Sequence, residues 1–236
     1  MQPTLVLLPG LMCNAAAWAP QVLALSGRAR CVVADFGLLD SLPAMAQHVL
    51  ATAPTPTFAL AGHSMGGRIA LEVMRHAPER VERLALLDTG TKPLPTGEAA
   101  DKERAGRLAL LQLAQTQGMR TMGAQWLRGM VHPSVPGSAL FEQVLDMLEH
   151  SSPQQYAAQI NALLTRPDAG PVLPTITCPT LVLCGREDYW SPPEQHAQIA
   201  AGIAGSTLVV VEHCGHMATV EQPQAVNAAF ADWLDR

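Results

Sequence analysis

The chain has 236 residues, of which 48% are hydrophobic and 15% charged, and its formal net charge is −5. This balance excludes a disordered protein, which would be rich in charge and poor in apolar residues. Basic side chains are scattered and no apolar stretch approaches the ~20 residues of a membrane span, so we expect neither a nucleic-acid nor a membrane partner. The length favours one domain with an insertion over two complete domains.

The chain opens with an apolar run at residues 4–8 that predicts a strand. It lacks the basic segment and cleavage site of a secretory signal, so we expect a mature cytoplasmic protein that starts here. The cysteines agree, because their number is odd and no C-x-x-C pair occurs. We predict free, mostly buried thiols and no metal or cofactor, since the paired Cys/His spacing of a zinc site is absent. The cysteines are Cys13, Cys31, Cys178, Cys184 and Cys214.

Short apolar runs alternate with helical patterns along most of the chain. Nearly continuous apolar character is typical of strands covered on both faces, and the alternation predicts a mostly parallel sheet of about six strands with helices on both sides. The predicted strands are Leu5–Leu8, Cys31–Ala34, Thr57–Ala61, Arg83–Leu87, Thr180–Cys184 and Thr207–Val211. The predicted helices between and after them are Gly66–Ala77, Pro193–Ala201 and Gln222–Leu234.

Residues 91–174 interrupt this alternation with helical pieces separated by glycine and proline. We interpret them as a helical lid inserted into a core formed by residues 1–90 and 175–236. The lid helices are predicted at about Gly97–Gln117, Met119–Met130, Ser138–Glu149 and Pro153–Thr165. Several large side chains could either line an adaptable pocket or pack the lid helices together. They are Met119, Met122, Trp126, Met130 and Met147.

The segment Gly62-His63-Ser64-Met65-Gly66 fits the pattern G-x-S-x-G between a predicted strand and a predicted helix. This context projects a serine oxygen above the sheet on a strained turn, with glycines relieving backbone clashes. The start of the helix favours negative charge developing nearby. The pattern therefore predicts Ser64 as a nucleophile.

A nucleophilic serine needs a base and an acid that orients the base. His216 follows the last predicted strand and Asp188 follows the one before it, so both lie at the same sheet edge as Ser64. The chain order Ser, Asp, His is that of hydrolases with this turn. His213 is an alternative base and Asp88 an alternative acid, with a solvated loop histidine and a turn residue as their ordinary interpretations.

An oxyanion hole requires two backbone N–H groups directed at the developing charge. One is predicted from Met65, which follows the nucleophile. The other is predicted from Leu11, because Gly10 allows a tight turn after the first strand.

These motifs together closely resemble the α/β-hydrolase superfamily. The matching segments are residues 8–11, 62–67, 77–81, 178–182, 185–188, 215–216 and 221–223. The resemblance implies a Ser–Asp–His enzyme with a lid, and two strands common at the start of the family are absent here. The chain is similar to small carboxylesterases of the pimeloyl-ester type and to the menaquinone-pathway succinyl-hydroxycyclohexadiene-carboxylate synthase. Enol-lactonases are a third relative.

Arg68 lies four residues after Ser64. In the menaquinone-pathway synthase that this segment resembles, an arginine here helps to bind a carboxylate-rich substrate. The chain departs from that enzyme at His63, where the synthase has tyrosine. The resemblance implies a substrate carboxylate as the partner of Arg68; the alternative is an ion pair with Asp88 or Glu72.

We therefore expect a serine hydrolase, a carboxylesterase that acts on a small ester, with or without a carboxylate, through an acyl-enzyme on Ser64. Arg68 and Trp126 are the candidate substrate-binding residues. One alternative is a lyase or enol-lactonase that uses the same three residues. An alternative of another class is a non-catalytic binding protein with this fold, against which the complete triad argues. The sequence leaves the oligomeric state open.

Overall fold

In the computed structural model, which describes residues 2–236, six strands form one parallel sheet. The strands are β1 (Thr4–Leu8), β2 (Arg30–Val33), β3 (Phe58–His63), β4 (Val81–Leu87), β5 (Thr180–Gly185) and β6 (Thr207–Val211). Their spatial order is β2-β1-β3-β4-β5-β6. The chain moves outward from β1 to β2 and then returns to the other side of β1, so the order reverses between β1 and β3. Ligands of open parallel sheets bind beyond the carboxyl ends of the strands at such a reversal.

Ten α-helices cover the sheet or lie between its strands in the described part of the chain. They are α1 (Ala19–Leu25), α2 (Leu42–Thr52), α3 (Met65–His76), α4 (Glu98–Gln117), α5 (Met119–Leu127), α6 (Ala139–Glu149), α7 (Pro153–Leu164), α8 (Pro193–Ala201), α9 (Ala218–Glu221) and α10 (Pro223–Leu234). None of the helices within residues 2–236 is long and apolar enough to cross a membrane.

The two faces of the sheet bury separate apolar clusters. In β1, Leu5 and Leu7 enter one cluster, while Val6 and Leu8 enter the other. Successive side chains of a strand point to opposite faces, so a strand that is apolar at every position must be covered on both sides. The apolar runs of β1, β3, β4 and β5 therefore form the interior of the sheet, and those of β2 and β6 form its edges.

The helices α4–α7 lie between β4 and β5, in the helical segment (residues 91–174). Its methionines belong to the same buried cluster as one face of the sheet: Met119, Met122, Met130 and Met147 are all less than 10% exposed. The structure thus supports the packing interpretation of these side chains. The helical segment shares a core with the sheet.

The predicted fold class is confirmed, since the chain forms a six-stranded parallel α/β sheet. All predicted strands are present, with ends that differ by no more than two residues from the prediction. Helices α1, α2 and α9 were not predicted. α1 has only seven residues, of which two are buried, so its apolar pattern is too short to mark a helix.

Candidate active site

Ser64 sits on the turn between β3 and α3 in a conformation that few non-glycine residues adopt, with φ 55° and ψ −114°. Close backbone contacts require a residue without a side chain at Gly62 and at Gly66. A Cβ on Gly62 would lie 2.2 Å from the Gly66 carbonyl oxygen, and one on Gly66 would lie 2.1 Å from the Leu8 carbonyl oxygen. The turn can therefore pack against β1 only with glycine at both positions.

The structure brings together the three residues predicted as nucleophile, base and acid. His216 Nε2 lies 2.8 Å from Ser64 Oγ, and His216 Nδ1 lies 2.8 Å from Asp188 Oδ2. Ser64 follows β3, Asp188 follows β5 and His216 follows β6, so the carboxyl ends of three strands of the sheet supply the three side chains. Asp188 and His216 are 1% and 2% exposed, which keeps their hydrogen bond away from competing water.

The Asp188 carboxylate is held on both oxygens. Its Oδ1 accepts hydrogen bonds from the N–H groups of Trp190 and Ser191, at 2.9 and 2.8 Å. Burial by itself would raise the pKa of Asp188, but His216 and the Ser191 N–H outweigh it and lower the pKa. Asp188 is therefore an anion at neutral pH, suited to stabilise a positive charge on His216.

Asp88, the alternative acid, lies at the end of β4 but does not contact His216. Its Oδ1 accepts the Gly185 N–H at 3.0 Å, and Oδ2 lies 3.6 Å from His63 Nε2. Burial and the charge of Asp188 raise the pKa of Asp88 well above its ordinary value. A neutral buried carboxyl is a poor partner for an imidazolium, so this geometry favours Asp188 as the acid.

His63 Nε2 donates to the carbonyl oxygen of His216 at 2.7 Å. Burial and the proximity of His216 lower the pKa of His63 to about 4, so this ring is neutral at physiological pH. Its role in the structure is to hold the backbone of the loop that carries His216.

His213 and Cys214 closely precede the predicted base in the sequence, but their side chains do not reach Ser64. His213 is exposed, and its ring stands edge-on to His132 with centroids 6.0 Å apart. Cys214 is fully buried, and burial raises the pKa of its thiol. Neither side chain contacts Ser64 Oγ within the described residues. All five cysteines are free.

The turn after β1 passes directly over Ser64. A Cβ on Gly10 would lie 3.3 Å from the Ser64 Cβ and 2.8 Å from His63 Nδ1. Among residues 2–236, neither the Leu11 N–H nor the Met65 N–H has a hydrogen-bond acceptor. Both predicted donors are therefore available beside the serine.

Arg68 lies on the first turn of α3, half-buried, and its Nη1 donates to the Lys92 carbonyl at 2.9 Å. In the described part of the chain it forms neither of the ion pairs that we considered with Asp88 or Glu72. Glu72 pairs with Arg75 instead. Arg68 is thus not held by a structural carboxylate.

A group of arginines surrounds Arg68. Burial and the positive charge of Arg166 lower the pKa of Arg68 to about 9, and Arg107 contributes in the same direction. Arg107 and Arg166 share a single carboxylate, Glu103, at 2.9 and 2.7 Å. Three guanidinium groups with one counter-ion leave a local excess of positive charge.

Trp126 lies on α5, half-buried, and packs against the apolar core. A role for it in binding a substrate therefore rests on the sequence prediction alone.

Sequence reasoning missed the contacts through which the helical segment holds this site. The His216 N–H donates to the Met130 carbonyl at 2.6 Å, and the Met12 N–H donates to Gln159 Oε1 at 2.7 Å. The partners in these two hydrogen bonds are 86 and 147 residues apart, so no local sequence pattern predicts either bond.

Glu221 was noticed in the sequence only as part of a family motif. Its carboxylate accepts the N–H groups of His132, Gly215 and Met217 at 2.7, 3.2 and 2.9 Å. These bonds fix the backbone on both sides of His216 and join it to the helical segment.

The fold and this arrangement of side chains define the class of protein. The chain belongs to the α/β-hydrolase family, whose model, described as "Alpha/beta hydrolase family", matches residues 5–229.

Among individual proteins, it is similar to the 2-hydroxy-6-oxononadienedioate/2-hydroxy-6-oxononatrienedioate hydrolase of Klebsiella pneumoniae, with 28% identity over 75% of this chain and 62% of the relative. The chain therefore spans less than two thirds of the length of that relative. Among solved structures, a thermophilic esterase from Thermogutta terrifontis, with malate bound, has 26% identity and a TM-score of 0.87 over 99% of this chain and 91% of that one. The enol-lactonase of Burkholderia xenovorans LB400 has 25% identity and a TM-score of 0.84 over 100% and 92%.

Proposed function

We propose that the protein is a serine hydrolase that cleaves a carboxylic ester through an acyl-enzyme on Ser64. The observation that carries the proposal is the continuous chain of 2.8 Å contacts from Ser64 Oγ through His216 to Asp188. Such a chain gives a neutral serine a base whose tautomer is fixed by the acid. Neither the Leu11 N–H nor the Met65 N–H has a hydrogen-bond acceptor in the fold, so both are free to stabilise the oxyanion.

The reaction proceeds in two halves. Ser64 Oγ attacks the carbonyl carbon while its proton moves to His216 Nε2, and Asp188 stabilises the resulting imidazolium. The negative charge on the former carbonyl oxygen is stabilised by the N–H groups of Leu11 and Met65. Collapse expels the alcohol, which takes the proton from His216. Water then attacks the acyl-enzyme with His216 as base, which releases the acid and restores Ser64.

The test is hydrolysis of p-nitrophenyl acetate by the wild type and by Ser64→Ala. We expect the variant to lose ~10⁴- to 10⁶-fold in kcat, and a fluorophosphonate probe to label Ser64 alone in the wild type. Ser26→Ala, at an exposed serine distant in sequence, is the matched control and keeps full activity. Labelling of another serine, or an active Ser64→Ala, would contradict the proposal.

A lactone is the second candidate substrate, favoured by the similarity to the enol-lactonase of Burkholderia xenovorans LB400. Opening a lactone on Ser64 leaves the whole substrate attached to the serine, whereas an open-chain ester first releases its alcohol. An elimination, as in the lyase alternative, adds no mass to Ser64. Rapid quenching followed by mass spectrometry of the Ser64 peptide therefore separates the three reactions.

For the substrate class, we propose a carboxylate on the acyl side of the ester. The excess of guanidinium groups around Arg68 supports it, because arginine binds carboxylates with two parallel hydrogen bonds. The relative from Klebsiella pneumoniae is named for a dioate, and the Thermogutta terrifontis esterase has malate bound. Both names involve a dicarboxylate.

Arg68→Met tests the substrate class on a neutral ester and on an anionic ester of equal length. A charged hydrogen bond in a water-poor pocket contributes ~1.5–3 kcal/mol, so kcat/KM on the anionic ester should fall about tenfold to a hundredfold. The neutral ester should be unaffected. Arg104→Met, at an exposed arginine of α4, is the control. An equal loss on both esters would assign Arg68 a structural role instead.

A further inference from the structure

Three potential metal ligands meet beside the loops that carry Asp188 and His216, each from a different loop. His132 follows α5, Glu187 directly precedes Asp188, and His213 lies three residues before His216. One ligand atom of each of the three lies within 4.8 Å of the other two. The proposed reaction uses none of these three side chains.

The distances suit a small cation. For three atoms no more than 4.8 Å apart, there is always a point within about 2.8 Å of all of them. Zinc binds imidazole nitrogen and carboxylate oxygen at about 2.0–2.2 Å. Each ligand atom therefore needs to move by less than about one ångström, which rotation of an imidazole or of the Glu187 side chain provides.

Hydrogen bonds hold two of the ligand side chains and the backbone of the third. His132 Nδ1 lies 2.8 Å from the Ser134 hydroxyl and accepts the Ser134 N–H at 3.2 Å, which fixes the ring. When an ion binds Nε2, the ring proton moves to Nδ1, which then donates to the Ser134 hydroxyl. Glu187 Oε2 accepts the Cys214 N–H at 2.9 Å, and the His213 carbonyl accepts a bond from Gln222 at 2.8 Å. Metal sites in proteins commonly fix their ligands in this way.

We propose that His132, Glu187 and His213 bind one divalent cation of the zinc type. Two imidazoles and one carboxylate form a ligand set that zinc takes in sites with an open position, and His213 is exposed, so water can complete the coordination. The bound ion joins the helical segment to the loops that carry Asp188 and His216. Its role is to fasten these loops together.

The experiment is calorimetric titration of chelator-treated protein with Zn²⁺, repeated with Co²⁺ to record its visible absorption. We expect one ion per chain and a higher unfolding temperature with the ion. His213→Asn should weaken binding by at least a hundredfold, and Asn tolerates the positive φ of 55° at this position. Ser134→Ala, which removes only the hydroxyl beside His132 Nδ1, should weaken binding about tenfold.

His150→Ala removes an exposed histidine outside the cluster and should bind Zn²⁺ like the wild type. Glu187→Gln provides a second ligand variant should His213→Asn alter the loop. The proposal is overturned if the wild type binds no Zn²⁺ in the micromolar range. It is equally overturned if the ligand variants and His150→Ala bind with the same affinity as the wild type.

A second inference concerns the turn that carries the Leu11 N–H, and it rests on the proposed function. Met12 has a φ of 61°, a left-handed conformation that a methionine adopts only when its surroundings enforce it. Its N–H donates to Gln159 Oε1 at 2.7 Å, and the two residues are 2% and 6% exposed. Gln159 lies on α7, in the helical segment.

We infer that Gln159 is a positioning residue for the oxyanion hole. By accepting the Met12 N–H it keeps the turn in its strained conformation, and the turn keeps the neighbouring Leu11 N–H beside Ser64. Loss of this acceptor leaves a buried N–H without a partner and lets the turn relax. The Leu11 donor then moves, and stabilisation of the transition state decreases while ground-state binding is retained.

Gln159→Leu tests this inference. We expect kcat to fall about tenfold to a hundredfold with KM within about twofold of the wild type. Gln159→Glu retains an oxygen that can accept the same N–H, so it should recover most of kcat. Gln154→Leu, on the exposed face of the same helix, is the control. Unfolding temperatures are measured for all three.

Failure of this inference can be distinguished from failure of the proposed function. If Ser64→Ala is inactive while Gln159→Leu keeps wild-type kcat, only the positioning role is wrong. An equal loss in Gln159→Leu and Gln159→Glu also overturns it, because the acceptor would then be irrelevant. If Ser64→Ala remains active, the proposed function itself fails.

Discussion

Two aspartate–histidine pairs lie side by side at the carboxyl edge of the sheet, Asp188 with His216 and Asp88 with His63. All four side chains are buried, and the two rings are 5.4 Å apart. In the first pair the ring and the carboxylate are 2.8 Å apart, and the other ring nitrogen reaches Ser64. In the second pair the closest contact is 3.6 Å, and the ring donates to a backbone carbonyl.

Both carboxyl groups are buried, so the opposite directions of their pKa shifts follow from the charges and hydrogen-bond donors around each of them. Asp188 has donors on both oxygens and a lowered pKa. Asp88 has one backbone donor, and its pKa is raised by burial and by the charge of Asp188. Within residues 2–236, Asp88 Oδ2 and His63 Nδ1 have no hydrogen-bond partner. The first pair is equipped for proton transfer and the second for holding backbone.

We expect the largest difference in kcat when the histidines of the two pairs are replaced. His216→Gln should reduce kcat by ~10⁴- to 10⁶-fold, because it removes the base from Ser64. His63→Gln keeps an N–H that can donate to the His216 carbonyl, so we expect less than about a tenfold loss. Steady-state kinetics on one ester compares them. Comparable losses in the two variants would mean that both pairs take part in the reaction.

The two aspartate variants should differ in kcat almost as much as the two histidine variants. Asp188→Asn should lower kcat by ~10⁴-fold, because an amide stabilises the wrong tautomer of His216. Asp88→Asn keeps an oxygen that can accept the Gly185 N–H, and kcat should change only a few-fold. If Asp88→Asn proved the more damaging change, the acid would belong to β4.

His63 should make stability depend on pH. Its pKa is about 4 in the folded protein against an ordinary value of 6.5, so between these values the unfolded chain binds more protons. Its contribution to stability is therefore complete above pH 6.5 and decreases as pH falls to 4, by at most ~1.4 kcal/mol per pH unit. Denaturant unfolding at several pH values should give a shallower decrease for His63→Gln. An unchanged slope would contradict the depressed pKa.

Asp88 should have the opposite effect on the pH dependence of stability. Because its pKa is raised above 3.8 on folding, the folded protein binds more protons, and this contribution is lost as pH rises above 3.8. Asp88→Asn removes that loss, so the variant should become more stable relative to the wild type as pH rises above 3.8. A stability difference that does not change with pH would show that Asp88 is ionised in both states.

Much of this protein was determined by local sequence. The apolar runs predicted all six strands, because a strand covered on both faces must be apolar throughout. Ser64 was predicted because its strained turn needs glycine at 62 and 66, and that requirement is visible within five residues. Asp188 and His216 were predicted as candidates because the ends of parallel strands meet at one edge.

Other features were decided only by the tertiary structure. The choice between Asp188 and Asp88, the bond from Met12 to Gln159 and the meeting of His132, Glu187 and His213 all join distant parts of the chain. Local pattern sets which backbone conformation a segment adopts. Hydrogen bonding and charge depend instead on the atoms within about 3 Å and on the exclusion of water, and only packing of the whole chain determines these.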